Sequence, residues 1–110
     1  MNIGTKYALL IGNNYKGNNT LRGCHNDIDR IERRLTSNKS SNVFSKFKST
    51  DMEILKDATR EEILTGFENL ISKINLEQIN ETEWLSCITY IHFSGHGTWI
   101  NDTNNDELDN

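Results

Sequence analysis

The sequence lacks several features that would each indicate a class of protein: it has no proline, only two cysteines and no long apolar run. Two cysteines in 110 residues exclude a framework of disulfides. No segment approaches the roughly 18 apolar residues of a membrane span. The apolar run at residues 7–11 is also too short for the core of a signal peptide. These absences predict an intracellular, cytoplasmic protein without a membrane partner.

Basic residues are not in excess either, since 12 lysines and arginines stand against 16 aspartates and glutamates. Residues 1–101 are balanced, so the excess negative charge comes from four residues near the end: Asp102, Asp106, Glu107 and Asp109. Because nucleic-acid binding requires a basic face, the sequence predicts no nucleic-acid partner. A chain of this length can form one domain with one modest core.

Three apolar segments predict β-strands, at residues 6–12, 52–55 and 87–93. An amphipathic segment separates each strand from the next, and this alternation predicts an α/β fold with a parallel sheet and helices on its faces. Ligands of such sheets bind beyond the carboxyl ends of the strands. The loops at residues 13–26 and 94–110 should meet there, and they hold most of the chemically interesting side chains.

Two helices are predicted from apolar residues at helical spacing and from their caps. The first covers residues 26–37, with Asn26 or Asp27 as its expected cap. The second begins with a capping box, in which Thr59 is followed three residues later by Glu62.

Other segments are less informative. Residues 75–86 extend or follow the second helix, and residues 38–50 are polar with only three expected anchors in the core: Val43, Phe44 and Phe47. We attribute the 15 asparagines and the absence of proline to coding bias.

The sharpest local motif is Ser94-Gly95-His96-Gly97, which directly follows the third predicted strand. A histidine between two glycines has little side-chain cover, and an imidazole with a pKa near about 6.5 suits proton transfer at neutral pH. The alternative is a turn whose glycines only supply unusual backbone angles. These four residues alone leave both interpretations open.

Other motifs are excluded by their spacing. The three histidines do not form a zinc motif, because two of them fall on a strand and its turn rather than on one helix face. Residues 102–107 begin like a calcium-binding loop but have glutamate where that loop needs glycine. Residues 12–17 have neither dinucleotide-binding nor P-loop spacing. No metal ligand is therefore assigned.

Four segments together resemble the caspase-like cysteine peptidases, in particular the metacaspases. In chain order they are YALLIGNNY at 7–15, LRGCHND at 21–27, ATREEI at 58–63, and YIHFSGHG at 90–97 followed by DELD at 106–109. Four such segments in this order favour the catalytic interpretation of His96. The resemblance implies a caspase-like (caspase-hemoglobinase) three-layer sandwich with a mostly parallel sheet, here truncated to about three strands.

The resemblance also implies a cysteine endopeptidase that uses a Cys–His dyad. His96 matches the family histidine, which helps to activate the thiol and protonates the leaving amine. The backbone N–H of Gly97 matches a donor of the oxyanion hole. No cofactor is required for this chemistry, and calcium is expected as an activator, as in many metacaspases.

The same resemblance places Cys24, Asp27 and Ser94 in the pocket for the substrate side chain that precedes the cut. An acidic pocket suits arginine or lysine, because a carboxylate pairs with a cation. Caspases instead have an arginine at the position of Leu21, where it holds a substrate aspartate. The expected substrate is therefore a peptide or protein with a basic residue before the cut.

One departure from the family concerns the nucleophile, which the family carries on the next strand in an Asp-x-Cys-His-Ser-Gly segment. The 110 residues contain no such segment, Cys24 matches a pocket residue and Cys87 lies inside a strand. We therefore expect residues 1–110 to be the N-terminal, histidine-bearing part of one caspase-like peptidase domain. Alone it should be inactive, with the C-terminal part of the domain as its partner.

Two alternatives remain open. A catalytically dead short homologue would bind a full-length peptidase through the open edge of its sheet. In the second alternative, Cys24 acts as an improvised nucleophile near His96.

Overall fold

The computed structural model describes residues 3–14, 22–39, 43–79 and 86–95. These residues form three strands and two long helices in alternation: β1 (Ile3–Gly12), α1 (Cys24–Leu35), β2 (Met52–Lys56), α2 (Arg60–Ile79) and β3 (Ser86–Ser94). A 3-10 turn at Ser49–Asp51 precedes β2. The predicted alternation is confirmed, and α2 includes the first part of the segment after residue 74.

The three strands form a parallel sheet in the order β2-β1-β3. In the register of the sheet, Leu10 of the central strand lies beside Ile54 and His92, and Gly12 lies beside Lys56 and Ser94. The carboxyl ends of all three strands therefore meet at one edge, which we call the carboxyl edge.

The central strand β1 is buried on both faces, and its alternating side chains divide the core into two layers. Ala8 and Leu10 pack with Ile28 and Leu35 of α1 on one face. On the other face, three residues of β1 pack with Leu70 of α2: Tyr7, Leu9 and Ile11. A strand buried on both faces is expected to have a continuous apolar sequence, and β1 has one. The two helices thus cover opposite faces, and the three-layer α/β fold is confirmed.

Helix α1 lies directly against the end of β1, where Gly12 allows a close approach. A Cβ atom added at Gly12 would lie 2.5 Å from Cγ1 of Ile28 and 2.8 Å from the carbonyl oxygen of Cys24. Only a residue without a side chain fits between the strand and the first turn of the helix.

Helix α2 begins with the predicted capping box. The N–H of Glu62 donates to Oγ1 of Thr59 over 3.2 Å, and the N–H of Thr59 donates to Oε1 of Glu62 over 3.1 Å. Both backbone donors at the start of α2 are thereby satisfied. In the described ranges, no helix is long and apolar enough to cross a membrane.

Two local expectations were wrong. Helix α1 begins at Cys24, two residues earlier than predicted, and Gly23 is its N-cap without a side-chain cap, so Asn26 does not cap it and Asp27 lies in its first turn. Of the three anchors expected in the segment after α1, only Phe47 is buried, since Val43 and Phe44 are each 48% exposed. The N–H of Phe47 donates to the carbonyl oxygen of Leu35 over 2.8 Å, which brings that segment back against α1.

Candidate functional site

The carboxyl edge brings the start of α1 next to the end of β3. The N–H of Asn13, just after β1, donates to the carbonyl oxygen of Ser94 over 2.9 Å. The side chain of Asn13 also accepts a hydrogen bond from the N–H of Ala58 over 3.0 Å. Asn13 therefore ties the end of β3 to the turn between β2 and α2, and it fixes the position from which the chain continues into Gly95 and the predicted catalytic histidine.

The sequence-predicted pocket residues Asp27 and Ser94 meet at this edge. The hydroxyl of Ser94 donates to Oδ2 of Asp27 over 3.4 Å, although the two residues are 67 positions apart. Asp27 is exposed, so its carboxylate can receive a ligand from solvent. The side chain of His92 joins the pair from β3, with its Nε2 2.6 Å from Oγ of Ser94.

The two aspartates of α1 differ in their charge environment. Nζ of Lys56 donates to Oδ1 of Asp29 over 2.7 Å, and this hydrogen bond lowers the pKa of the Asp29 carboxyl. Within the described ranges, no lysine or arginine forms an ion pair with Asp27. Asp27 is therefore the carboxylate of this helix turn that can pair with a cation from outside.

Cys24 lies three residues before Asp27 and hence on the same face of α1. It is only 8% exposed, and its thiol is free of any disulfide. Such a residue can border the pocket, but its burial disfavours the alternative in which Cys24 attacks a peptide. The second cysteine, Cys87, packs as a partly buried apolar side chain against the α2-side core.

The start of α1 is capped from a distance by Asn14. Its Oδ1 accepts hydrogen bonds from the N–H of Cys24 over 3.0 Å and from the N–H of His25 over 3.3 Å. These are two of the backbone donors that a helix leaves unsatisfied in its first turn. Because Asn14 follows β1 directly, it fixes the position of this first turn relative to the sheet.

Asp57 holds Asn14 and His25 in place. Its Oδ1 accepts the N–H of Asn14 over 2.8 Å and lies 3.1 Å from Nε2 of His25. The two atoms are within the distance of an ion pair, but their geometry is not that of a hydrogen bond. Nε2 of His25 is itself buried. Asp57 adopts a left-handed conformation with a φ of 54°, and its N–H donates to the carbonyl oxygen of Gly12 over 3.0 Å.

Several of these residues were not recognised in the sequence as functional. Asn13 and Asn14 were attributed to compositional bias, yet both organise the carboxyl edge. The available signal was their position, since two asparagines directly follow the buried strand at the edge where ligands bind. His92 was considered only as a zinc ligand, although its spacing of two from Ser94 on a strand places both side chains on one face.

The remaining predicted site residues, His96 and Gly97, lie outside the described residues, and so do the four acidic residues from 102 to 109. In the part of the chain that the structure describes, no group of three or more histidine, cysteine, aspartate or glutamate side chains is placed to hold a metal ion. The described part of the candidate site thus holds the residues that were predicted to line the pocket.

Comparison with known proteins places the chain among peptidase domains. The profile of the family described as "Metacaspase, peptidase C14 domain" matches residues 6–110. The chain is 36% identical to Metacaspase-1 of Yarrowia lipolytica and 35% identical to Metacaspase-1B of Aspergillus terreus, with 96% of the chain covered in each case. It spans 22% and 26% of the lengths of these two relatives. About a quarter of each relative is therefore represented here.

Proposed function

The chain belongs to the metacaspase family of peptidase C14 domains, and from that premise we propose that it forms the histidine-bearing part of a cysteine endopeptidase that cuts after arginine or lysine. The observation that carries this proposal is the contact between Asp27 and Ser94. It joins the first turn of α1 to the end of β3, two residues before His96. An exposed carboxylate without a cation partner among the described residues thereby contacts a serine that lies two residues before a histidine suited to proton transfer.

The proposed reaction needs groups from this chain and a cysteine thiol from elsewhere. The 110 residues do not contain the motif in which the family carries that cysteine. His96 accepts the thiol proton, the thiolate sulfur attacks the scissile carbonyl carbon, and the N–H of Gly97 stabilises the resulting oxyanion. His96 then returns the proton to the leaving amine as the peptide bond breaks. Water releases the acyl group from sulfur and restores the thiol. Alone, the 110-residue chain should not turn over substrate.

The open side of β3 is the proposed contact with the rest of the domain. Among the described residues, β3 pairs only with β1, so its other edge is unpaired there. Ile91 and Phe93 alternate on one face of β3 and are 50% and 51% exposed. An unpaired edge beside half-exposed apolar side chains suits a further parallel strand and its covering helix. The thiol would arrive on that strand.

The proposed chemistry needs no cofactor. Calcium is proposed as an activator, and the described residues supply no ligand set for it. Activity of the full-length peptidase, titrated with calcium and separately with magnesium, tests this: calcium should raise the rate, and an unchanged rate after chelation would contradict the proposal.

The catalytic proposal is tested in the full-length peptidase that contains this segment. It should cleave fluorogenic peptides with arginine or lysine before the cut, and His96→Ala should reduce kcat/KM by at least roughly 100-fold, as expected for loss of a general base. Turnover that survives His96→Ala would refute the dyad. The isolated 110-residue chain, assayed in parallel, should show no turnover.

The pocket is tested with two matched charge substitutions on α1. Asp27→Asn should lower kcat/KM for an arginine peptide by roughly tenfold or more, because a charge-assisted contact to the substrate is lost. Asp29→Asn removes the same charge two residues later, at a carboxylate that is already paired with Lys56. Its effect should be small. Equal effects of both variants would indicate general electrostatics rather than a pocket.

A further inference from the structure

The side chain of His92 contacts the side chain of a predicted pocket residue, although His92 does not belong to the set carried over from the family. It lies on the same face of β3 as Ser94, since the two are separated by two positions in a strand. Its Nε2 is 2.6 Å from Oγ of Ser94, while Oγ of Ser94 is 3.4 Å from Oδ2 of Asp27. The three side chains form a row from the strand to the exposed carboxylate.

The direction of these hydrogen bonds depends on which ring nitrogen of His92 carries its hydrogen. In the arrangement that keeps the contact with Asp27, the single hydrogen of the Ser94 hydroxyl points to the carboxylate, which only accepts. Oγ of Ser94 is then left as an acceptor, and Nε2 of His92 carries the hydrogen that it donates. If Nε2 were instead an acceptor, it would attract the hydroxyl hydrogen, and Asp27 would lose its donor.

We propose that His92 is a positioning residue that sets the preference for a basic substrate side chain by holding the Ser94 hydroxyl on Asp27. The inference rests on the proposed function. Asp27 sits in the exposed first turn of a helix, where a carboxylate can rotate freely unless it is held. With one oxygen held by Ser94, the carboxylate has fewer orientations to lose when it binds a cation. A planar guanidinium then binds without the entropy cost of ordering the carboxylate.

The experiment uses the full-length peptidase and two peptides that differ only before the cut, one with arginine and one with citrulline, its uncharged isostere. Selectivity is the ratio of the two kcat/KM values. His92→Phe keeps a ring but removes the donor, and it should lower selectivity roughly fivefold, mainly through a higher KM for the arginine peptide. His92→Gln retains a donor amide and should stay near the wild-type ratio.

Two further comparisons separate positioning from a general structural effect. Tyr90→Phe changes an aromatic residue on the same face of β3, and it should leave selectivity unchanged. Ser94→Ala should reproduce the loss seen with His92→Phe, and the double variant should lose no more than either single one, because His92 acts through Ser94. Should His92→Phe prove unstable, His92→Leu removes the same donor and should show the same loss of selectivity, whereas His92→Gln should not.

The outcomes distinguish the two proposals. Wild-type enzyme that cleaves after arginine, together with unchanged selectivity in His92→Phe or additive losses in the double variant, would overturn the role of His92 alone. If the wild-type enzyme does not cleave the arginine peptide, or if His96→Ala cleaves it equally well, the proposed function fails and the role of His92 fails with it.

Discussion

At the scale of a single residue, Gly12 is constrained by the helix that packs against it. An alanine Cβ at this position would lie 2.8 Å from a backbone oxygen of Cys24, which cannot rotate away as a side chain could. We therefore expect Gly12→Ala to lower the free energy of unfolding by about 1–3 kcal/mol, the usual cost of overpacking. Urea unfolding measures the change.

Gly23 provides the matched control for this substitution. It adopts an ordinary helical conformation with a φ of −109°, and a Cβ atom there would meet nothing within 4 Å. Gly23→Ala should change the free energy of unfolding by less than about 1 kcal/mol, since alanine is a poorer N-cap than glycine but also reduces the conformational entropy of the unfolded chain. Equal losses at both positions would contradict the close approach of α1 at Gly12.

At the scale of an element, the start of α1 depends on an asparagine outside the helix. Asn14→Ala removes the oxygen that accepts from the N–H groups of Cys24 and His25, and it should cost about 1 kcal/mol of stability in urea unfolding. Asn14→Asp keeps an acceptor and should cost less. Asn26→Ala should be neutral or slightly stabilising, because Asn26 makes no cap and alanine favours helix. A larger loss of stability in Asn26→Ala than in Asn14→Ala would indicate that Asn26, and not Asn14, caps the helix.

The far end of α2 is joined to β1 by a tyrosine–glutamate pair. The hydroxyl of Tyr7 donates to Oε2 of Glu77, whose other oxygen accepts the N–H of Thr5 over 2.9 Å. Burial raises the pKa of Tyr7 from 10.0 to about 12, and the hydrogen bond to Glu77 contributes further. The hydrogen bond from Tyr7 lowers the pKa of the Glu77 carboxyl below 4.5, with the backbone bond from Thr5 as the second cause.

These pKa shifts predict that the contribution of the pair to stability is lost at both alkaline and acid pH. Above pH 10 the unfolded chain loses the Tyr7 proton while the folded chain retains it, so stability falls between pH 10 and about 12. Below pH 4.5 the unfolded chain binds a proton at Glu77 first, so stability falls as the solution is acidified. Tyr7→Phe should flatten the alkaline decline and Glu77→Gln the acid one, both measured as urea midpoints against pH. Tyr90→Phe, which removes a hydroxyl elsewhere, should leave the alkaline decline unchanged.

The same elements show which structure is readable from a single sequence. The run of residues 7–11 and the Thr59-x-x-Glu62 box predicted β1 and the start of α2, because their signals lie within a few neighbouring residues. The start of α1 was misplaced for the opposite reason. Its cap comes from Asn14, ten positions before Cys24, and no rule that examines adjacent residues includes that distance.

The same difference between local signals and contacts of distant residues applies to the candidate site. That His92 and Ser94 share a face could be derived from the alternation of a strand. Their contact with Asp27, 67 positions from Ser94, depends on the sheet order and on how far α1 advances over Gly12. The resemblance to a family placed Asp27 and Ser94 in one pocket, and it gave no role to His92 or Asp57. The contacts of those two residues depend on the packed structure.

At the scale of the whole molecule, the central strand β1 and the outer strand β3 differ in how well they are covered. Both faces of β1 are covered, with Leu9 and Leu10 at 0% exposure. In the described part of the chain, β3 lies at the margin, with Ile91 and Phe93 half-exposed and one edge unpaired. A half-exposed apolar face beside an open edge is the usual setting for strand pairing between chains. The isolated chain should therefore use this side to associate with itself.

That expectation can be measured by sedimentation velocity of the isolated 110-residue chain. The wild-type chain should sediment as a dimer or larger species at concentrations of about 10–100 μM, a range in which exposed strand edges promote association. Ile91→Lys combined with Phe93→Lys should shift it toward monomer, because lysines on an edge strand oppose pairing. Leu76→Lys is the control, since Leu76 is 60% exposed on α2 and outside the sheet, and it should leave association unchanged. A monomeric wild-type chain, or equal effects of both sets of substitutions, would contradict β3 as the associating side and would weaken its proposed role as the contact for the rest of the peptidase domain.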